Sequence, residues 1–291
     1  MNLPIIAVSV APLFIAASIS AAKLAGNSIH PFIVAGLAPL LSVPFLYVWS
    51  RLQGTRLSLT ALEGRCRRDL CEILVSRCVL GQVLIVSGFI LTTATKAVLL
   101  LRLEPLFVLC WNVALLSERP SKKKVWLSLL LIVGAFFVVS PQLGTLQLSV
   151  GDGLIVLALL LLSYSYIPTK RISSSIDALS LTMITNVLSG ILIVLPTGFL
   201  LPHELWATLT PKFGYLLLYS LLLFVFGLPL YFYAFKSLAP WLIACFLSLE
   251  VVAGLFLAVL LFSEVPTATQ LLGAALMIGA TVLVARTEMS G

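Results

Sequence analysis

The chain has 291 residues, 60% of them hydrophobic and only 10% charged, with a mean hydropathy of +1.15 and a formal net charge of +7. These values exclude an ordinary soluble domain. The basic excess does not read as a nucleic-acid signature, because it sorts by side of a membrane.

Ten apolar runs follow one another: 4–22, 31–49, 71–91, 95–116, 125–140, 152–169, 178–200, 213–235, 240–262 and 267–285. Such runs suit crossing about 30 Å of hydrocarbon, the fifth and sixth being the shortest. They are continuous rather than alternating, which predicts helices and not a barrel. The first run has no basic residue ahead of it and no polar stop after it, so it reads as a span rather than a secretory leader. The sizeable polar connection, 50–70, carries both charge signs and is too small to be a domain. The five cysteines (Cys66, Cys71, Cys78, Cys110 and Cys245) show no CxxC or Cys/His spacing, and His30 and His203 both sit beside span ends. No metal site, disulfide or cofactor is expected.

A segment occurs twice in register. Residues 101–120 and 247–266 are identical at nine of twenty positions at an offset of 146. The Leu and Val matches weigh little in so apolar a chain. The Glu104/Glu250 and Glu118/Glu264 matches weigh more, since only eight Glu exist in all. Gly81/Gly227 and Phe89/Phe235 extend the match, and offset 147 aligns Ser18/Ser165 and Lys23/Lys170. The expected architecture is all-α: ten transmembrane helices as two inverted five-helix repeats, 1–145 and 146–291.

Alternate connections give the orientation. Thirteen of the eighteen Lys and Arg fall on the side of the N-terminus, including Arg51, Arg65, Lys122, Lys123, Lys124 and Arg171; Lys23, Lys96 and Lys212 fall on the other. The positive-inside rule then places both termini in the cytoplasm, with a plasma (inner) membrane location. The turn before the fifth run is basic (Ser121-Lys122-Lys123-Lys124) where its copy is neutral (Thr267-Ala268-Thr269-Gln270), as inversion requires.

Each half also carries a Leu-Glu pair and, fourteen residues on, Ser-Glu-x-Pro: Leu103-Glu104 with Ser117-Glu118-Arg119-Pro120, and Leu249-Glu250 with Ser263-Glu264-Val265-Pro266. The second copy continues into a Gly-Ala-rich last helix, 270–280. The set resembles the EamA family of the drug/metabolite transporter superfamily. The resemblance implies ten helices and secondary transport, often export of amino acids or other metabolites.

Glu104 and Glu250 lie near the middles of their runs, where a charge costs about 2.5–3.5 kcal/mol even on the lenient insertion scale and must face protein or water. Each is a candidate proton carrier or a scaffold tie between the fourth and ninth helices. Pro105 frees the carbonyl of Leu101 and predicts a bend. Arg102 points away from Glu104 and is expected to pair with a carboxylate on another helix, Glu250 being the candidate, or to reach the cavity. Lys96, absent from the second copy, is a candidate for substrate specificity or a lysine reaching the outer headgroups. Gln82, Asn112, Tyr164 and Tyr231 are candidate neutral cavity groups, as are Asn186 and Tyr166. Lys23 and Lys170, matched at helix ends, are weaker candidates for gating. Asp152 reads as an N-cap.

No HExxH, GxSxG or P-loop is present, which argues against an enzyme and against an ATP-driven pump. The sequence therefore predicts a secondary transporter of small polar metabolites such as amino acids, an exporter working by alternating access. Its expected partners are a small-molecule substrate, the lipid bilayer and, as coupling ion, the proton; a homodimer stays open. The alternatives are a flippase for a lipid-linked carrier and a non-transporting membrane partner or sensor.

Overall fold

The computed structural model describes residues 3–25, 29–54, 64–92, 94–117, 120–140, 149–207, 209–263 and 265–289. Those residues are helices joined by short turns. In chain order, the first two helices are α1 (Leu3–Ala25) and α2 (Pro31–Leu52). A third long helix is made of α3 (Arg65–Ile73), a π-helical turn at Leu74–Gly81 and α4 (Gln82–Leu91). The fourth is split into α5 (Ala94–Leu101) and α6 (Glu104–Leu116), and α7 is Lys122–Val139.

The second half repeats this plan. It runs α8 (Val150–Tyr164) and α9 (Tyr166–Ile172), then α10 (Ala178–Leu200) and the short α11 (His203–Ala207). Next come α12 (Phe213–Ser220), a π-helical turn at Leu221–Gly227 and α13 (Leu228–Ala234). The split pair α14 (Pro240–Leu247) and α15 (Glu250–Phe262) precedes the final α16 (Ala268–Met289).

Nine segments among the described residues are long and apolar enough to cross a membrane, from Leu3–Ala21 to Ala268–Thr287. The fifth expected run is present as the 18-residue helix α7, but Lys122, Lys123 and Lys124 occupy its first turn and keep it outside that set. The third helix starts at Arg65, six residues before the apolar run. Asp69 and Glu72 in its first turns pair with Arg171 of α9. Large apolar side chains cover the outside, Phe45, Val75, Phe256 and Leu271 among them. Contiguous apolar surface on this scale suits a protein whose surroundings are lipid.

Local signals start and stop these helices. Ser149 and Asp152 form a reciprocal capping box at α8, so Asp152 is the third residue of that box and Ser149 the N-cap. The side chains of Ser121 and Asp177 cap α7 and α10. The helices before the Ser-Glu-x-Pro turns end the same way in both halves: Ser117 and Ser263 adopt left-handed backbone, with φ of 55° and 53°.

Packing follows the duplication. α2 lies on α10 and α7 on α16, each helix against its own repeat copy. α1 packs on the α12–α13 helix while α4 packs on α8, and α6 contacts both α8 and α14. The self-pairs close through glycine. A Cβ on Gly273 would lie 2.5 Å from the carbonyl oxygen of Gly134, and one on Gly190 would lie 3.0 Å from that of Gly36. At the centre, Tyr166, Tyr231, Phe232, Phe235 and Trp241 are almost completely buried, and the Trp241 indole donates to Ser128 Oγ at 2.9 Å.

Candidate functional site

The two split helices meet at the middle of the molecule. α5 ends in a tight turn, with Arg102 N–H donating to Leu99 O (3.1 Å) and Leu103 N–H to Leu100 O (2.9 Å). The copy does the same through Ser248 to Cys245 O (3.2 Å) and Leu249 to Phe246 O (3.0 Å). Pro105 accounts for the first break. The second has Val251 at the matching position, so proline alone does not cause it. There, the released carbonyls of Leu247 and Ser248 accept from Arg102 Nη1 at 3.3 and 3.2 Å. Arg102 Nη2 also stands 3.6 Å from Glu250 Oε1, and Nε donates to Val98 O at 3.3 Å. Arg102 thus joins the two breaks, and the pairing with Glu250 expected from sequence is present.

Between the breaks and the two π-helical turns lies a cavity of about 220 Å³. Arg77, Arg102, Glu104, Glu250 and Gln82 bring charge and polarity to it, and Asn186, Thr185 and Ser189 of α10 add neutral groups. Ile15, Leu159, Leu223, Phe224 and Leu228 form apolar wall. Few polar groups on an apolar wall is the usual make-up of a small-molecule site. The Asn186 amide donates to Ser42 Oγ at 2.9 Å, which locks α10 onto α2 beside the cavity.

Of the residues singled out by sequence, Glu104, Glu250, Arg102, Gln82 and Tyr231 converge on this cavity. Others fall elsewhere. Lys96 lies 3.8 Å from Asp152 Oδ2, in a cluster where Thr92 Oγ1 also hydrogen-bonds to Asp152. Asn112 is not among the residues lining the cavity, and its buried Oδ1 has no hydrogen-bond partner among the described residues. Tyr164 donates to Glu72 Oε2 at 2.9 Å, in a network where Arg171 meets Asp69 at 2.6 Å and Glu72 at 2.9 Å. This network ties α3 to α9 on the basic face. Lys170 Nζ donates to Phe235 O at 2.8 Å. The side chain of Lys23, and Glu118, Arg119 and Glu264 of the repeated turns, lie outside the described residues.

Arg77 was not among the sequence candidates, although an arginine inside a span was a signal for it. It sits on the π-helical turn of the third helix, with its guanidinium carbon 4.4 Å from the Tyr231 ring centroid and 5.8 Å from that of Tyr166. It donates to Ser165 Oγ at 3.3 Å. Glu104 is close enough to Arg77, Arg102 and Glu250 to feel all three charges.

Known proteins match this architecture. The EamA-like transporter family matches residues 2–140 and again residues 149–286, one match for each half. A solved crystal structure that is 14% identical covers 97% of this chain and 97% of its own, with a TM-score of 0.73, which is a likeness of fold. No curated protein matches the chain. With the family matching nearly the whole length twice, over a duplicated bundle of apolar helices, the chain belongs to the EamA-like transporter family of integral membrane transporters.

Proposed function

We propose that the protein is a secondary transporter that exports small polar metabolites, amino acids among them, by alternating access around the central cavity. The observation that carries this reading is the placement of the cavity: both split helices and both π-helical turns border it, and each has a copy on the opposite half. Broken helices around a midplane site are how transporters present polar backbone to a solute without exposing it to lipid. π-helical turns are also frequent at functional sites. In this reading the halves 1–145 and 146–291 are inverted five-helix units, α7 is the fifth span, and both termini are cytoplasmic in the plasma membrane. Glu104 and Glu250 are the coupling candidates, with the proton as the coupling ion.

Two measurements test it. Counterflow in proteoliposomes, run over a panel of amino acids and other metabolites, should give uptake of at least one class above empty liposomes; a flat panel overturns the reading. Cysteines placed at Ser121 and Thr267 should be labelled from opposite sides by an impermeant thiol reagent. Labelling of both from one side removes the inverted topology.

A further inference from the structure

Besides the paired breaks, one helix is interrupted without a copy. α8 gives way to α9 at Ser165, whereas α1, its repeat equivalent, runs unbroken through the aligned Ser18. Pro168 accounts for the difference. It has no N–H for the carbonyl of Tyr164, and the aligned residue in α1 is Ala21. The break leaves α9 as a separate helix of seven residues.

Both ends of α9 are held by polar contacts. At the break, Arg77 donates to Ser165 Oγ at 3.3 Å. At the far end, Arg171 meets Asp69 and Glu72 of α3 at 2.6 and 2.9 Å. There too, Lys170 Nζ and Ser173 Oγ donate to Phe235 O, at 2.8 and 3.0 Å, where α13 ends. α3 and α13 belong to the third and eighth helices, which are repeat copies, so α9 is a crossbar between them. Arg77 and Cys78 line the cavity just past α3, and Leu159 and Leu162 line it just before α9. α3 and α9 therefore stand between the cavity and the basic face.

The ionic tie is one-sided. At the repeat offsets, Asp69 and Glu72 correspond to Tyr215 and Leu218, and Arg171 to Leu24, so the copy has no residues for it. The Arg171 side chain is 46% exposed. A pair so open to water holds weakly and parts readily. A break beside the cavity, a short rigid segment and a weak tie at its tip are the parts of a hinged closure.

We propose that α9 is a gate between the cavity and the basic face, hinged at Ser165, latched to α3 by Arg171 and to α13 by Lys170. This rests on the reading of the cavity as a transport site, and adds that the entrance on the basic face carries a latch with no copy at the other.

The test reads thiols in the full chain in proteoliposomes, with an impermeant maleimide added at the basic face and the other native cysteines replaced. Cys78 reports the cavity; Ile172→Cys, fully buried on α9, reports the bar. In Arg171→Ala both should be modified severalfold faster and by a common factor, because one motion exposes both. Arg171→Lys, which keeps a cation, should return both rates toward the parent's. Lys170→Met, which frees α9 from α13, should also raise both. Pro168→Ala restores an N–H for the Tyr164 carbonyl, and should stiffen the hinge and slow both in the Arg171→Ala background. A thiol fully buried on α7, Ala135→Cys, should stay at the parent rate throughout; if it rises with the others, general unfolding explains the result and the gate falls. A faster Ile172→Cys with Cys78 unchanged marks a fraying helix end and overturns the gate, as do parent rates in both Arg171→Ala and Lys170→Met. The assay needs no solute. A coupled rise beside a flat counterflow panel leaves the gate standing and removes the transport reading; uncoupled rates beside active counterflow do the reverse.

Discussion

Arg102 of the first half and Glu250 of the second stand 3.6 Å apart, each at the break in its own helix, and the same guanidinium takes the carbonyls of Leu247 and Ser248. Removing one partner of a buried charged pair costs about 3–5 kcal/mol, because the other charge stays behind unpaired. Arg102→Met should therefore lower Tm sharply in detergent. Glu250→Gln, which still offers an acceptor, should cost about 1–2 kcal/mol. The double variant should lose less than the two singles added together, as expected for residues in contact. An Arg102→Met Tm equal to wild type would show that the pair holds nothing.

Glu104 lies at the matching break without a comparable strut, facing the charges of Arg77 and Arg102. Glu104→Gln keeps the shape and the hydrogen-bonding oxygen but cannot exchange a proton. Accumulation driven by a pH gradient should disappear in this variant while passive exchange persists. Accumulation that still follows the gradient in Glu104→Gln and in Glu250→Gln would exclude both as proton carriers.

The contact between α7 and α16 is set by two glycines of unequal tolerance. On Gly134, a new Cβ would first meet the flexible Met277 side chain at 2.6 Å; on Gly273, it would meet the Gly134 carbonyl at 2.5 Å and the Val138 amide nitrogen at 2.7 Å. Backbone cannot swing aside. Gly273→Ala should thus destabilise by about 1–3 kcal/mol, the range for overpacking, and Gly134→Ala by less. Thermal unfolding in detergent reads the difference, and the reverse order would contradict the packing.

On the basic face, Arg171 bridges Asp69 and Glu72, and Tyr164 completes the tie. Arg171→Ala should loosen α9 from α3 and speed modification of Cys78, which lines the cavity, by an impermeant thiol reagent added from that face. The measurement needs the other four cysteines replaced. A rate unchanged from the parent would show that this network does not limit entry.

Much of the fold was legible because hydrocarbon imposes length and composition on a span. The run 178–200 coincides with α10, and the repeat located both Glu104 and Glu250. The tie between Arg102 and Glu250 could be read from the cost of an isolated charge at depth. What escaped were features that leave hydropathy unchanged. A π-helical turn adds a residue per turn without altering composition, so the segment that aims Arg77 at Tyr231 was invisible. The helix break at Ser248 has no proline to announce it. Lys96 stood out in the sequence because the second copy lacks it, whereas its approach to Asp152 depends on how the fourth helix packs on α8. The run at 71 misses the first turns of its helix because Arg65, Arg68 and Asp69 are charged, and hydropathy does not register a helix that continues through charged residues.

The lopsided distribution of Arg77 and Arg102 bears on ancestry. The paired helix breaks, π-helical turns and left-handed serines are shared by both halves, as inheritance from one half-length chain would leave them. The arginines are not shared. A half-length protein associating with an upside-down copy of itself would present every core residue twice. Four arginines would then face two glutamates if the copy resembled the first half, and two glutamates would have no cation if it resembled the second. Two separately encoded halves can change alone, so the balanced set of two arginines and two glutamates is a composition that duplication opened to selection.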